Sequence, residues 1–67
     1  MNLFANRLNE LRLEKGLSQR QLAKATGFSQ AAIARWEANL QMPNIDVAIQ
    51  FAKFFNVTTD YLLGLEN

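Results

Sequence analysis

The sequence predicts an all-α fold, five short helices packed as one compact domain, and three observations predict it. Apolar residues recur at steps of three and four along nearly the whole 67-residue chain, which is the spacing of one face of a helix. These runs stop at Gly16, Gly27, Asn39, Asn56 and Gly64, residue types that accept the left-handed backbone ending a helix. Ser18, Ser29 and Thr58 stand immediately before new runs, where a hydroxyl caps a first turn. Strand-period alternation, internal repeats and low-complexity linkers are missing from the sequence.

The elements follow in order. Leu3, Phe4, Leu8 and Leu11 form the first apolar stripe, which Gly16 stops. Ser18 opens the second helix, and Gln21 three residues on completes a capping box, with Leu17 and Leu22 as the apolar staple around it. Gly27 ends that helix. Ser29 opens the third, with Phe28 and Ile33 as its staple, and Asn39 ends it. Pro43–Asn44 opens a fourth helix expected to place Ile45, Ala48, Phe51, Ala52 and Phe55 on one inner face, before Asn56 stops it. Val57, Thr58 and Leu62 repeat the staple and cap for a short fifth helix closed by Gly64.

The short gap around Gly27 forces the second and third helices to cross steeply. Ala23 is small enough to admit that crossing, so Leu22, Ala23, Ile33 and Trp36 are expected to share a core.

Composition excludes several kinds of protein. The chain has no Cys and no His, so a disulfide framework and a zinc site of the usual Cys/His type are ruled out, and no cofactor is expected. A chain of this size buries only about 60% of its unfolded surface, so apolar packing carries the fold, with dimerisation as a further support. No apolar run reaches the 18 residues of a membrane span. The start "MNLFANRLNE" lacks the pattern of a signal peptide, and a cytoplasmic protein is expected. Without His, Cys or a carboxylate pair placed in a cleft, little acid–base or nucleophilic chemistry is available, and an enzyme is not expected.

Net charge is only +1, but it is unevenly spread. Residues 1–35 hold six basic side chains against two acidic ones, a balance of +4, and residues 36–67 hold one against four, a balance of −3. Lys15 through Arg35 contains no acid. Charge alone leaves two readings open, a half of the molecule that faces a polyanion and a chance imbalance in a small protein.

The third helix sharpens this. On a wheel of about 100° per residue, Ser29 and Trp36 fall on the side of Ile33, whereas Ala31, Ala34 and Arg35 fall opposite, with Ala32 on the flank. Gln30, at the first helical position, projects from the helix end. The outward face is thus smooth, nearly uncharged and fitted with two long polar side chains. A B-DNA major groove, about 12 Å wide, just admits a helix. Small side chains let the backbone approach the bases, Gln can pair bidentately with adenine, Arg with guanine, and Ala can touch a thymine methyl. Helix propensity alone also favours alanine, but the cap, the tight turn and the basic stretch preceding this face favour recognition.

These residues carry a family resemblance. "LSQRQLAKATGFSQAAIARWE" resembles the helix-turn-helix of the lambda-repressor-like family, the Cro/C1 or XRE type. "RLNELRLEKGLSQ" is similar to the family's first helix and the start of its second, and "PNIDVAIQFAKFFNVTTDYLLG" to its last two helices, so the likeness covers nearly the whole chain. The resemblance implies a single five-helix domain over residues 1–67, with the helix-turn-helix core at 18–38, that binds double-stranded DNA at a near-palindromic operator as a homodimer.

It further implies base contacts from Gln30, Ala31 and Arg35, and a phosphate contact from Gln19, which would also steady Gln30. Arg20, Ser29 and Lys24 are further phosphate candidates, Arg20 foremost because it lies in the first turn of its helix; Arg7 and Lys15 are weaker ones. Glu37 lies one turn after Ile33, towards the inner side, where a lone carboxylate is costly. The family pairs this position with an arginine of the first helix, and Arg12 matches, so an Arg12–Glu37 ion pair is expected to set the angle of the third helix.

The loop "NLQMPN" departs from the family pattern, since Asn39 stands where a Gly is usual and Leu40, Gln41 and Met42 carry no charge. Phosphate contacts from this loop are expected to be fewer or to come from backbone N–H groups, with modest affinity and a shallow salt dependence. Ile49, Phe54, Tyr61 and Leu65 do not all fit an inner face and suggest a dimer contact. The expected function is sequence-specific transcriptional regulation, most simply repression by occupancy, with no membrane and no small-molecule ligand engaged by this chain. The alternative is an antitoxin or protein-interaction module on the same fold.

Overall fold

A computed structural model describes residues 3–66, and these form five helices: α1 (Phe4–Glu14), α2 (Gln19–Thr26), α3 (Gln30–Glu37), α4 (Ile45–Phe55) and α5 (Thr59–Leu63). Each begins and ends where local chemistry directs. Ser18 Oγ accepts from the Gln21 backbone N–H at 3.0 Å while Gln21 Oε1 accepts from the Ser18 N–H at 2.8 Å, a complete capping box. Ser29, Asn44 and Thr58 cap α3, α4 and α5 through their side-chain oxygens. These bonds satisfy backbone donors that a helix start leaves unpaired.

The helix ends fall into two kinds. Four of them close with paired backbone bonds around a left-handed residue, as after α3, where Leu40 N–H reaches Arg35 O at 2.9 Å and Asn39 N–H reaches Trp36 O at 3.1 Å. The left-handed residue is Asn39 there and Asn56 after α4, with φ of 60° and 57°. Helix α2 ends differently, with the single bond of Gly27 N–H to Ala23 O at 2.8 Å at a φ of 85°. Phe28 N–H then bonds Thr26 Oγ1 at 3.4 Å, and that hydroxyl donates back to Leu22 O at 2.8 Å. Three residues, 27–29, suffice to turn the chain into α3.

Helix α3 packs on α1 and α2, α1 and α4 both pack on α5, and α2 also meets α4. The core holds Phe4, Leu8, Leu22, Ile33, Trp36, Phe51, Ala52, Phe55 and Leu62, with Ala23 packed against it. Its centre is Phe51, whose ring lies 6.2 Å from Phe4, 4.9 Å from Phe28, 5.6 Å from Trp36 and 6.3 Å from Phe55. These separations suit edge-on and offset aromatic packing. One ring of α4 thus grips α1, the α2–α3 turn and the back of α3.

Two apolar expectations change. Ile45, expected on the inner face of α4, is 61% exposed. It occupies the first helical position, beyond the end of the core, and Val47 packs inward instead. Leu3 precedes α1 as its cap residue and is likewise partly exposed. Of the four residues that do not all fit an inner face, Phe54 packs on the core, Tyr61 is half-buried, and Ile49 and Leu65 are exposed. Among the described residues, no helix is long and apolar enough to cross a membrane.

Candidate nucleic-acid interface

The expected reading face is on the outside of α3. Gln30, Ala31 and Arg35 are exposed, Ala32 and Ala34 are half-buried, and Ile33 and Trp36 are inside. The smooth outward strip is eight residues long, about 12 Å at 1.5 Å per residue. Ser29 caps it by accepting from Ala32 N–H at 3.1 Å. That bond leaves the Gln30 and Ala31 N–H groups, at the very start of the helix, without intrahelical acceptors. They suit an anionic oxygen there.

Arg20 and Lys24 are exposed on α2, at its first and last turns. Gln19, at the first position of α2, is half-buried. Its amide points to neither Gln30 nor solvent alone: Gln19 Nε2 donates to Glu37 Oε1 at 3.2 Å. The second hydrogen of that amide and the Gln19 backbone N–H are the groups left for a phosphate.

Glu37 organises the site from behind. Arg12 grips it with two parallel bonds, Nε to Oε2 at 2.7 Å and Nη2 to Oε1 at 2.9 Å. Asn9 Nδ2 donates to Oε1 at 2.9 Å, and Arg12 Nη1 donates to Leu17 O at 2.8 Å. Side chains of α1 and α2 therefore converge on one carboxylate of α3. Burial pushes the Glu37 carboxyl up, but hydrogen bonds from Arg12, Asn9 and Gln19, with the Arg12 charge, outweigh it and hold the carboxyl below its ordinary range. For Arg12 the hydrogen bond to Glu37 dominates and raises the guanidinium further. Both side chains are nearly enclosed, at 11% and 6% exposure, which makes this pair far more than a solvated contact.

Sequence reasoning missed two side chains that hold α3 residues, one on each face. Asn9 lies three residues before Arg12 and so shares its face of α1, a signal that was present. Gln41 accepts from Arg35 Nε at 2.9 Å, and its placement depends on loop conformation that residue spacing does not encode. Two further basic side chains, Arg7 and Lys15, make contacts within the chain. Arg7 donates to Tyr61 O and, at 2.8 Å, to Glu66 O, with its guanidinium 4.2 Å from the centre of the Tyr61 ring. Lys15 lies 5.5 Å from the centre of the Phe54 ring. Arg7 thus fastens α1 to the end of α5.

A helix-turn-helix family model matches residues 8–62. Over 63 residues, 94% of this chain is 41% identical to the HTH-type transcriptional activator BcrR of Enterococcus faecalis, covering 31% of that protein. It is 32% identical, over 94% of itself and 56% of the relative, to an uncharacterized HTH-type transcriptional regulator, YobD, of Bacillus subtilis. The cryptic phage CTXphi transcriptional repressor RstR of Vibrio cholerae is 27% identical over 82% of this chain and 50% of its own length. The chain thus spans from about a third to just over half of these relatives. Among solved structures, a transcriptional regulator from Listeria innocua superposes with a TM-score of 0.88 at 27% identity, covering 100% of this chain and 63% of that one. A helix-turn-helix transcriptional regulator from Vibrio cholerae does so with a TM-score of 0.79 at 27% identity, over 94% and 35%.

Proposed function

The chain belongs to the Cro/C1-type helix-turn-helix family, and from that premise we propose that it is a sequence-specific DNA-binding transcriptional regulator that inserts α3 into the major groove. The observation carrying this reading is the outward presentation of Gln30, Ala31 and Arg35 on a capped helix whose opposite side is locked into the core. Gln30 would read an adenine and Arg35 a guanine, Ala31 would pack against a thymine methyl, and Gln19, Arg20, Ser29 and Lys24 would bind the flanking phosphates. Residues 18–38 would be the DNA-contacting core of a domain extending over the whole chain.

Two copies reading a near-palindrome would place their α3 helices about 34 Å apart, one turn of DNA. Repression by occupancy of a promoter is the simplest output, since it asks nothing of the chain beyond binding. The relatives include a protein named an activator and another named a repressor, so the position of the operator would decide the sign. The reading as an antitoxin gains no support from these relatives, which are named as transcriptional regulators.

Selection of binding sites from random DNA tests specificity and half-site symmetry together, and sedimentation with and without the selected duplex tests pairing of two copies. The decisive variant is Gln30→Ala. It is expected to lose about 1–3 kcal/mol of specific binding while nonspecific binding stays nearly unchanged. Equal weakening on all sequences contradicts base reading by Gln30. Failure to enrich any sequence contradicts specific recognition.

A further inference from the structure

We propose that Gln41 is a specificity-determining positioning residue: it holds the Arg35 guanidinium by its Nε, so that the two terminal amino groups face a single guanine as a fixed pair. This rests on the reading of the outer face of α3 given above and deepens it. Arg35 lies in the last turn of α3 and is exposed. An arginine side chain has many rotamers, and ordering it against a base removes that freedom. Here part of the ordering is done by the chain itself, because Arg35 Nε already donates to Gln41 Oε1 at 2.9 Å. With Nε engaged, the two-donor edge left to the guanidinium is its Nη1–Nη2 end, which matches the O6 and N7 acceptors of guanine in the major groove.

The support for Gln41 is built into the backbone before it. Asn39 takes a φ of 60°, and Leu40 N–H bonds to the carbonyl of Arg35 itself at 2.9 Å. The loop therefore folds back over the residue whose side chain Gln41 restrains. The choice of a neutral amide matters. A carboxylate at position 41 would hold the guanidinium more strongly but cancel its charge and repel phosphates, whereas Gln leaves the full positive charge for DNA. Among the described residues no carboxylate pairs with Arg35. The uncharged loop, which departs from the family pattern, thus has a specific use.

The test uses the full chain with Gln41→Ala, Arg35→Ala and the double variant. Each is taken through site selection from random DNA, then titrated by fluorescence anisotropy against duplexes changed one base pair at a time. Gln41→Ala is expected to lower the guanine preference at one position by roughly two- to tenfold, the range of a single hydrogen bond. Arg35→Ala should remove the preference at that same position, and the double variant should match Arg35→Ala. Melting temperatures should barely move, because both side chains are exposed. Three results overturn the proposal: uniform weakening by Gln41→Ala at all positions, no change, or an effect of Gln41→Ala that persists without Arg35. If Arg35→Ala alters no position, base reading by Arg35 falls and the role of Gln41 with it. If Arg35→Ala acts and Gln41→Ala does not, only the role of Gln41 falls.

Discussion

The two sides of α3 are made by opposite means. The inner side is fixed several times over: Ile33 is fully buried, Trp36 is 4% exposed, and Glu37 takes bonds from Asn9, Arg12 and Gln19. The outer side is held more sparsely, and among the described residues its one side chain with a side-chain hydrogen bond is Arg35, bonded to Gln41. Recognition of a patterned surface needs both conditions. The helix must be presented at a set angle, which the inner side supplies. The reading groups must then meet their targets, and here Gln30 and Ala31 are left open while Arg35 is held by Gln41.

The strongest way to break this contrast is from the inside. Ile33→Ala should destabilise the domain by about 2–5 kcal/mol, through lost burial and the cavity left behind. For a domain of this size each kcal/mol lowers the melting temperature by roughly 4–8 °C, so thermal denaturation followed by circular dichroism reads the effect directly. DNA binding should fall with folding. A similarly small change on the outer side, Ala31→Ser, should leave the melting curve within about 0.5 kcal/mol of the parent.

Next in size is Glu37→Ala, expected to cost about 1–3 kcal/mol because the Arg12 guanidinium loses its carboxylate and keeps only its bond to Leu17 O. Glu37→Gln should cost less, since its amide oxygen still accepts hydrogen bonds. The pair also predicts a pH dependence. The folded Glu37 carboxyl is held below its ordinary 4.5. Its contribution is therefore fully present above that value and is lost as pH falls through the depressed one, where the folded carboxylate must take up a proton. Denaturant titrations across acidic pH should show a loss of stability that Glu37→Gln largely removes.

The smallest expected effect sharpens the contrast from outside. Arg20→Ala should leave stability nearly unchanged and weaken binding to all sequences alike, reducing the salt slope by about 0.9 for one lost phosphate contact. A sequence-dependent loss would instead place Arg20 among the base-reading groups.

Much of the fold was legible because its punctuation is local. Ser18 with Gln21, Ser29, Thr58 and the left-handed positions Gly27, Asn39 and Asn56 are decided by residues within a few positions of each other. The Arg12–Glu37 pair was legible only through the family likeness, since spacing alone does not bring residues 12 and 37 together. What escaped was tertiary. Arg7 was read only as a basic side chain, and its bonds to Tyr61 O and Glu66 O, partners more than fifty residues away, left no trace in the spacing. Ile45 fits the apolar stripe by spacing, yet the core ends before it. The periodicity that identifies a stripe does not say where along a helix the neighbour stops.

The placement of Trp36 has a practical consequence. It is the chain's single tryptophan, and it lies on the rear of α3 between the Phe28 and Phe51 rings, at 5.4 and 5.6 Å. Its ultraviolet emission is therefore an intrinsic label for one event, the seating of α3 on its scaffold. Detachment of that helix exposes the indole to water and shifts the emission to the red, whereas loss of α5 alone leaves it far less altered. Set beside a far-ultraviolet measure of total helix, this one signal distinguishes a protein that melts all at once from one that lets go of its reading element first.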